Sequence, residues 1–200
     1  MTTFAELRDL TIEQTRKPEL VGITNAAIVT AVKRAHHFDF FPDDIQSVSL
    51  TYAPTASAIQ QLSNAKSLMP NFRAQKALFC QDPVTFQQLE QLGWRELDDF
   101  YDLDGRLKPS IYTYVGSTLR FVPMQPTGSL ASYYYANPVT TEVGFASWIA
   151  DTYPEQVAML AATGVWSRTG FREMANDADE KNNKPFRQLL INSHILGEVN

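Results

Sequence analysis

Between Ile111 and Asn200 the hydrophobic period changes once, from strand-like to helical, and that change constrains what the chain can build. Three short aromatic runs come first: Ile111-Tyr112-Thr113-Tyr114-Val115, Thr118-Leu119-Arg120-Phe121-Val122-Pro123 and Ser129-Leu130-Ala131-Ser132-Tyr133-Tyr134-Tyr135-Ala136-Asn137-Pro138. Their length, their aromatic content and the prolines that close two of them are those of strands. After Ser147-Trp148 the apolar residues recur at helical spacing instead. Val157, Leu160, Ala161, Gly164, Val165 and Arg168 trace one stripe, and Gly170 suits the left-handed position that follows a last turn. Thr152-x-x-Glu155 has the form of a capping box, while Pro154 equally suits a first helical position. Phe171, Met174, Ala175 and Ala178, then Phe186, Leu189, Leu190 and Ser193, share a final face. Pro185 interrupts it, so a kink or break is expected near Asn182 to Lys184.

The opening third is helical as well. Thr3-Phe4-Ala5-Glu6 is a capping box, with Phe4, Leu7, Leu10 and Ile12 following near helical spacing until Lys17-Pro18. Thr24 is the expected cap of a second helix running to about Phe38, with Ile28, Val32 and Ala35 on one face and Lys33, Arg34 and His37 on others. Phe40, Phe41 and Pro42 form a bulky junction. Ser47 to Tyr52 then alternates as a half-buried strand, with Val48, Leu50 and Tyr52 on one side. From Ala53 to Asn71 no period dominates. Arg73 to Cys80 suits a strand, Pro83 to Leu92 a short helix capped by Asp82, and Asp104-Gly105 a hairpin turn. The expected class is α+β: a helical bundle of N- and C-terminal helices (1–45 and 139–200) with a strand-rich inserted lobe (46–138).

Composition narrows the function. With 44% hydrophobic and 20% charged residues in 200, the chain is the size of one ordinary domain, with room for two lobes. A net charge of −5 with Lys and Arg scattered singly argues against holding nucleic acid by its phosphates. The single cysteine, Cys80, allows no internal disulfide. No run has the apolar length of a membrane span and no secretion signal opens the chain, so synthesis in the cytoplasm is expected.

Few residues suggest chemistry. Glu96, Asp98, Asp99, Asp102 and Asp104, mixed with Trp94, Phe100 and Tyr101, are the one dense carboxylate run. Paired carboxylates beside aromatic platforms are what glycoside hydrolysis needs, and a solvated acidic turn has the same composition. His36 and His37 are adjacent on a helix, so their rings diverge and do not suit one metal ion; a surface or junction role fits them better. Cys80 fits a buried structural thiol. Tyr133 and Tyr135 share one strand face, and with Tyr112 and Tyr114 they are able to stack bases or sugars, or to pack against helices and a neighbouring subunit. No nucleophile box, metal cluster or phosphate loop is present; no catalytic residue, metal or cofactor is expected.

The order of elements, with Leu119-Arg120-Phe121-Val122-Pro123, Tyr134-Tyr135-Ala136-Asn137-Pro138 and Trp148-x-x-x-x-Tyr153-Pro154, resembles the head-to-tail adaptor (connector, or tail tubular protein A) family of short-tailed bacteriophages. The resemblance covers most of the chain in outline. It implies a structural virion protein, made in the host cytoplasm, that is monomeric when free and forms a dodecameric collar between the portal protein and the tail nozzle protein. DNA would pass through without specific binding, and no membrane is involved. It further implies that helices from both ends form the collar body and the strands from Gln46 to Pro138 the tail-facing lobe. Phe186, Leu189, Leu190, His194 and Ile195 become candidates for the portal contact, and Tyr112, Tyr114, Tyr133 and Tyr135 for the tail-facing or subunit contact. Because the sequence ends soon after Ile195, docking is expected to use the helix itself or a loop. A lumen of the same sign as phosphate would let the duplex slide. Two other classes stand beside this one: a hydrolase of cell-wall or capsular glycan using the 96–104 run, and a small intracellular binding module with the tyrosine strands as its recognition face.

Overall fold

The computed structural model describes residues 1–81, 86–92, 106–123 and 128–197, the side chains of Gln81, Phe86 and residues 194–197 excepted. The fold is mixed α+β, and the chain divides into two compact units: Met1–Asp44 with Asn137–Asn200, and Ile45–Ala136.

The first unit is helical. α1 (Phe4–Thr15) opens on the expected capping box, in which Thr3 Oγ1 accepts the Glu6 N–H and the Glu6 carboxylate accepts the Thr3 N–H. Arg16 ends it in the left-handed conformation. α2 (Val21–His36) begins three residues before the expected cap, because a 3-10 turn at Pro18–Leu20 delivers the chain already wound. Thr24 therefore caps nothing: it lies inside the first turn, buried, and its Oγ1 has no hydrogen-bond partner among the described residues. Ile28, Val32 and Ala35 are buried as their spacing requires, while Lys33, Arg34 and His37 face solvent.

After Asn137 a short helix, α3 (Trp148–Thr152), is capped by Ser147, and α4 (Pro154–Arg168) starts on proline. Pro154, and not Thr152, marks that start, since Thr152 closes the preceding helix by donating to the Trp148 carbonyl. α4 is buried around most of its girth and crosses α2 closely. A Cβ on Gly164 would lie 3.5 Å from that of Ala27, so small side chains set the approach. Gly170 takes the left-handed position after α4, at φ 89°.

α5 (Arg172–Ala178) and α6 (Lys184–Gly197) are joined by a π-helical turn, Asp179–Asn183, where the break was expected. The widened turn makes room for Pro185, which offers no N–H and whose ring would press on the carbonyl four residues back in a regular helix. Of the face shared by these helices, Ala175, Ala178, Phe186 and Leu190 are buried, whereas Phe171, Met174 and Leu189 are exposed.

The second unit is a seven-stranded sheet in the order β1-β7-β3-β4-β5-β6-β2. Its strands are β1 (Ile45–Thr51), β2 (Gln60–Leu62), β3 (Phe72–Gln81), β4 (Phe86–Gln91), β5 (Ile111–Val115), β6 (Thr118–Val122) and β7 (Ser129–Ala136). All pairs are antiparallel except β4 with β5. β4 corrects the helix expected from Pro83 to Leu92: Phe86 and Leu89 have helical spacing, but Phe86–Gln91 hydrogen-bonds to β3 and β5 instead, and the expected start at Asp82 and Pro83 lies outside the described residues. Gln60–Leu62 and a 3-10 turn at Ala65–Leu68 occupy the stretch that showed no period. One face of the sheet buries Leu50, Leu78, Cys80, Leu89, Tyr112, Leu119, Phe121, Leu130 and Tyr134.

Candidate functional site

In the helical unit, His36 Nδ1 lies 2.7 Å from Asp44 Oδ1 and His36 Nε2 2.9 Å from Ser147 Oγ, the spacing of a serine nucleophile, its base and an orienting carboxylate. Its surroundings decide against catalysis. The three residues are 2%, 6% and 6% exposed, so no substrate reaches the hydroxyl. Ser147 Oγ is already the N-cap acceptor of the Ala150 N–H at 3.1 Å, and Asp44 also accepts the Trp148 indole N–H at 2.9 Å. With the proton on Nδ1, one continuous chain runs from Ala150 through Ser147 and His36 to Asp44, and it ties the end of α2 to the start of α3. A surface or junction role is all that the sequence suggests for His36; its partners lie 8 and 111 positions away, beyond the reach of local spacing. His37 points elsewhere, with Nε2 2.8 Å from Asn137 Oδ1.

The portal-contact candidates separate by burial. Phe186 and Leu190 belong to the core of the helical unit, packed with Leu7, Ile28, Val32 and Phe41. Leu189 is 45% exposed and borders a groove of about 330 Å³ whose lining includes Gln14, Met159, Lys181, Pro185 and Phe186. The side chains of His194 and Ile195 lie outside the described residues.

In the sheet unit the tyrosines divide as alternation demands. Tyr134 is buried in the core, donating to Gln46, while Tyr133 and Tyr135 are half-buried on the opposite face. There Tyr133 meets the edge of Phe79, and the Arg73 and Lys76 side chains lie over the Tyr135 ring. Tyr112 is buried and donates to Gln91 Oε1 at 3.1 Å; burial pushes its phenol up to about 12. Tyr114 donates to Gln75 Oε1 at 2.8 Å, and burial, with Tyr112 beside it, raises its pKa as well. Burial also pushes the Cys80 thiol up to about 11, which keeps it out of the nucleophilic thiolate form.

Beside Tyr114 lies a cleft of about 520 Å³, lined by Lys66, Phe72, Gln75, Gln91 and Thr113 among others. The Lys66 ammonium sits over two rings, 5.1 Å from the centroid of Tyr114 and 5.9 Å from that of Phe72. Gln75 is committed to the fold: its amide donates to the Ala77 and Tyr133 carbonyls and fills the irregularity where β3 shifts register against β7.

The carboxylate run from Glu96 to Asp104 and the Asp104-Gly105 turn lie outside the described residues. Among the described residues no three His, Cys, Asp or Glu side chains come together as a metal site. No helix there is long and apolar enough to cross a membrane. No protein-family model matches the sequence and no curated protein matches it, so function has to be inferred from these surfaces.

Proposed function

We propose that this chain is a structural virion protein, the subunit of an adaptor ring that joins a portal to a tail nozzle and lines the DNA exit channel. The observation that carries the proposal is the path of the chain, which leaves a helical unit after Asp44, builds a sheet, and returns to the helical unit at Asn137. The adaptor resemblance implies that organisation, with helices from both ends as the collar body and the strands as an inserted, tail-facing lobe. In the helical unit, exposed Leu189 and the mixed polar and apolar groove beside it are the surface assigned to the portal. Half-exposed Tyr133 and Tyr135 are assigned to a neighbouring subunit or the nozzle. Tyrosine brings large contact area at low entropic cost, which suits such a surface.

Mixing purified portal rings with this protein and imaging the product by electron microscopy tests the proposal. A collar beneath each portal is expected, its subunit number read from the class averages. Leu189→Lys is expected to abolish collar formation while leaving the free monomer folded, since this side chain stands outside the core. Intact portals that never acquire a collar from the unsubstituted protein would overturn the assignment.

A further inference from the structure

The helical unit carries charge of opposite sign at two places on one helix pair. α1 and α4 start together and end together: the Thr2 N–H, before α1, donates to Asp151, before α4, and the Lys17 ammonium, after α1, lies 5.7 Å from the ring centroid of Phe171, after α4. Along α1 runs a groove of about 570 Å³, whose lining includes Leu10, Pro154 and the exposed acids Glu6, Asp9 and Glu13. Spacings of three and four residues put these carboxylates on one helix face. Arg8, the cation within that stretch, turns to Glu142 at 3.3 Å. At the common end of the two helices the sign changes. Arg16 follows α1, Arg168 closes α4 and Arg172 opens α5, all three exposed, and with them stand Phe171 and Met174, 44% and 48% exposed.

Neither set of charges is matched within the unit. Arg16, Arg168 and Arg172 form no ion pair among the described residues, and neither do Asp9 and Glu13. The acids in the turns beside the arginines, Glu19 and Glu173, are fewer than the cations, and Glu19 already lies 4.0 Å from Lys17. A basic peptide answers only the groove and an acidic one only the arginines, whereas a second copy of this chain answers both. Nucleic acid is disfavoured by the net charge of −5. We propose that the groove along α1 of one copy receives the arginine-bearing end of α4 and α5 of another, with Phe171 and Met174 as the apolar part of the contact. The contact stands on charge and exposure, so a portal that never gains a collar does not bear on it. On the adaptor assignment it joins ring neighbours, where a portal holding subunits side by side raises their effective concentration.

Sedimentation equilibrium of the full chain in dilute buffer tests the proposal, at protein concentrations up to about 1 mM, enough to populate a contact of millimolar Kd. The average mass is expected to rise with concentration and to return to that of the monomer at about 1 M salt, where screening acts within about 3 Å. Asp9→Lys with Glu13→Lys, and separately Arg168→Glu with Arg172→Glu, are each expected to weaken association about tenfold or more, because like charges then face each other. All four positions are exposed, and circular dichroism verifies the helices of each variant. An equimolar mixture of the two double variants is expected to regain association, since each reversed surface then meets its complement. Neutral Asp9→Asn with Glu13→Gln is expected to act in the same direction by a smaller factor. The proposal is overturned if the unsubstituted chain stays monomeric throughout, if salt leaves its association unchanged, if either reversed variant associates as strongly as before, or if their mixture stays monomeric.

Discussion

Asp44 accepts from two ring donors, the buried His36 Nδ1–H and the part-buried Trp148 indole, and so ties two elements of the helical unit together. Removing an acceptor leaves each donor desolvated and unpaired, at roughly 1 to 3 kcal/mol apiece. Asp44→Ala is therefore expected to cost about 3 kcal/mol or more in urea unfolding followed by helical circular dichroism. Ser147→Ala removes a helix cap and one bond to His36, for which about 1 to 2 kcal/mol is expected. The order Asp44 above Ser147 is the discriminating result; equal small losses would mean the network contributes little. None of it was legible in advance. Ser147 precedes a helical run, Asp44 merely follows the Phe40-Phe41-Pro42 junction, and nothing in the spacing of His36 distinguishes a buried ring from a surface one. Alternation, by contrast, did separate Tyr134 from Tyr133 and Tyr135, because the two faces of a strand are fixed by its own geometry.

At the scale of elements, the π turn between α5 and α6 shows how one residue type shapes a helix junction. Pro185 costs about 3 kcal/mol inside a regular helix, and the extra residue wound into Asp179–Asn183 removes that conflict. Asn183 holds the widened turn against α4 through a 3.0 Å bond to Thr163 Oγ1. Deleting Asn182, which is exposed, forces a regular turn onto the proline and is expected to destabilise by about 3 kcal/mol. Combining the deletion with Pro185→Ala should recover most of that loss, whereas Pro185→Ala alone should change stability by less than about 1 kcal/mol. A thermodynamic cycle over these three variants measures the coupling, and simple additivity would refute this account of the turn. The break was foreseeable because proline acts locally. β4 was not, since Phe86 and Leu89 suit a helix face equally well and only the edges of β3 and β5 decide the matter.

Across the whole molecule the two units differ in their response to base. Cys80 and Tyr112 are buried in the sheet unit, where their pKa values are raised to about 11 from 9.0 and to about 12 from 10.0; those of Tyr114 and Tyr134 are raised too. All four are neutral when protonated. Between the unfolded and folded values the unfolded chain therefore holds fewer protons than the folded one, and stability falls as pH rises. The contribution is intact below about pH 9 and is lost progressively up to about pH 12, at about 3 kcal/mol for each of Cys80 and Tyr112 on a two-unit shift. In the helical unit Glu6 is lowered by its bonds to Thr3 and Lys184 is raised by Glu180, but both groups are fully exposed, so solvent screens what the Lys184–Glu180 pair loses when the lysine deprotonates. Alkaline titration should thus melt the sheet first. Tyrosinate absorbance is expected to rise cooperatively with the loss of sheet structure while the helical signal persists, and Tyr112→Phe should move that transition to higher pH. Gradual, non-cooperative tyrosine ionisation near the ordinary phenol range, with the sheet intact, would show that these rings are not sealed in the core.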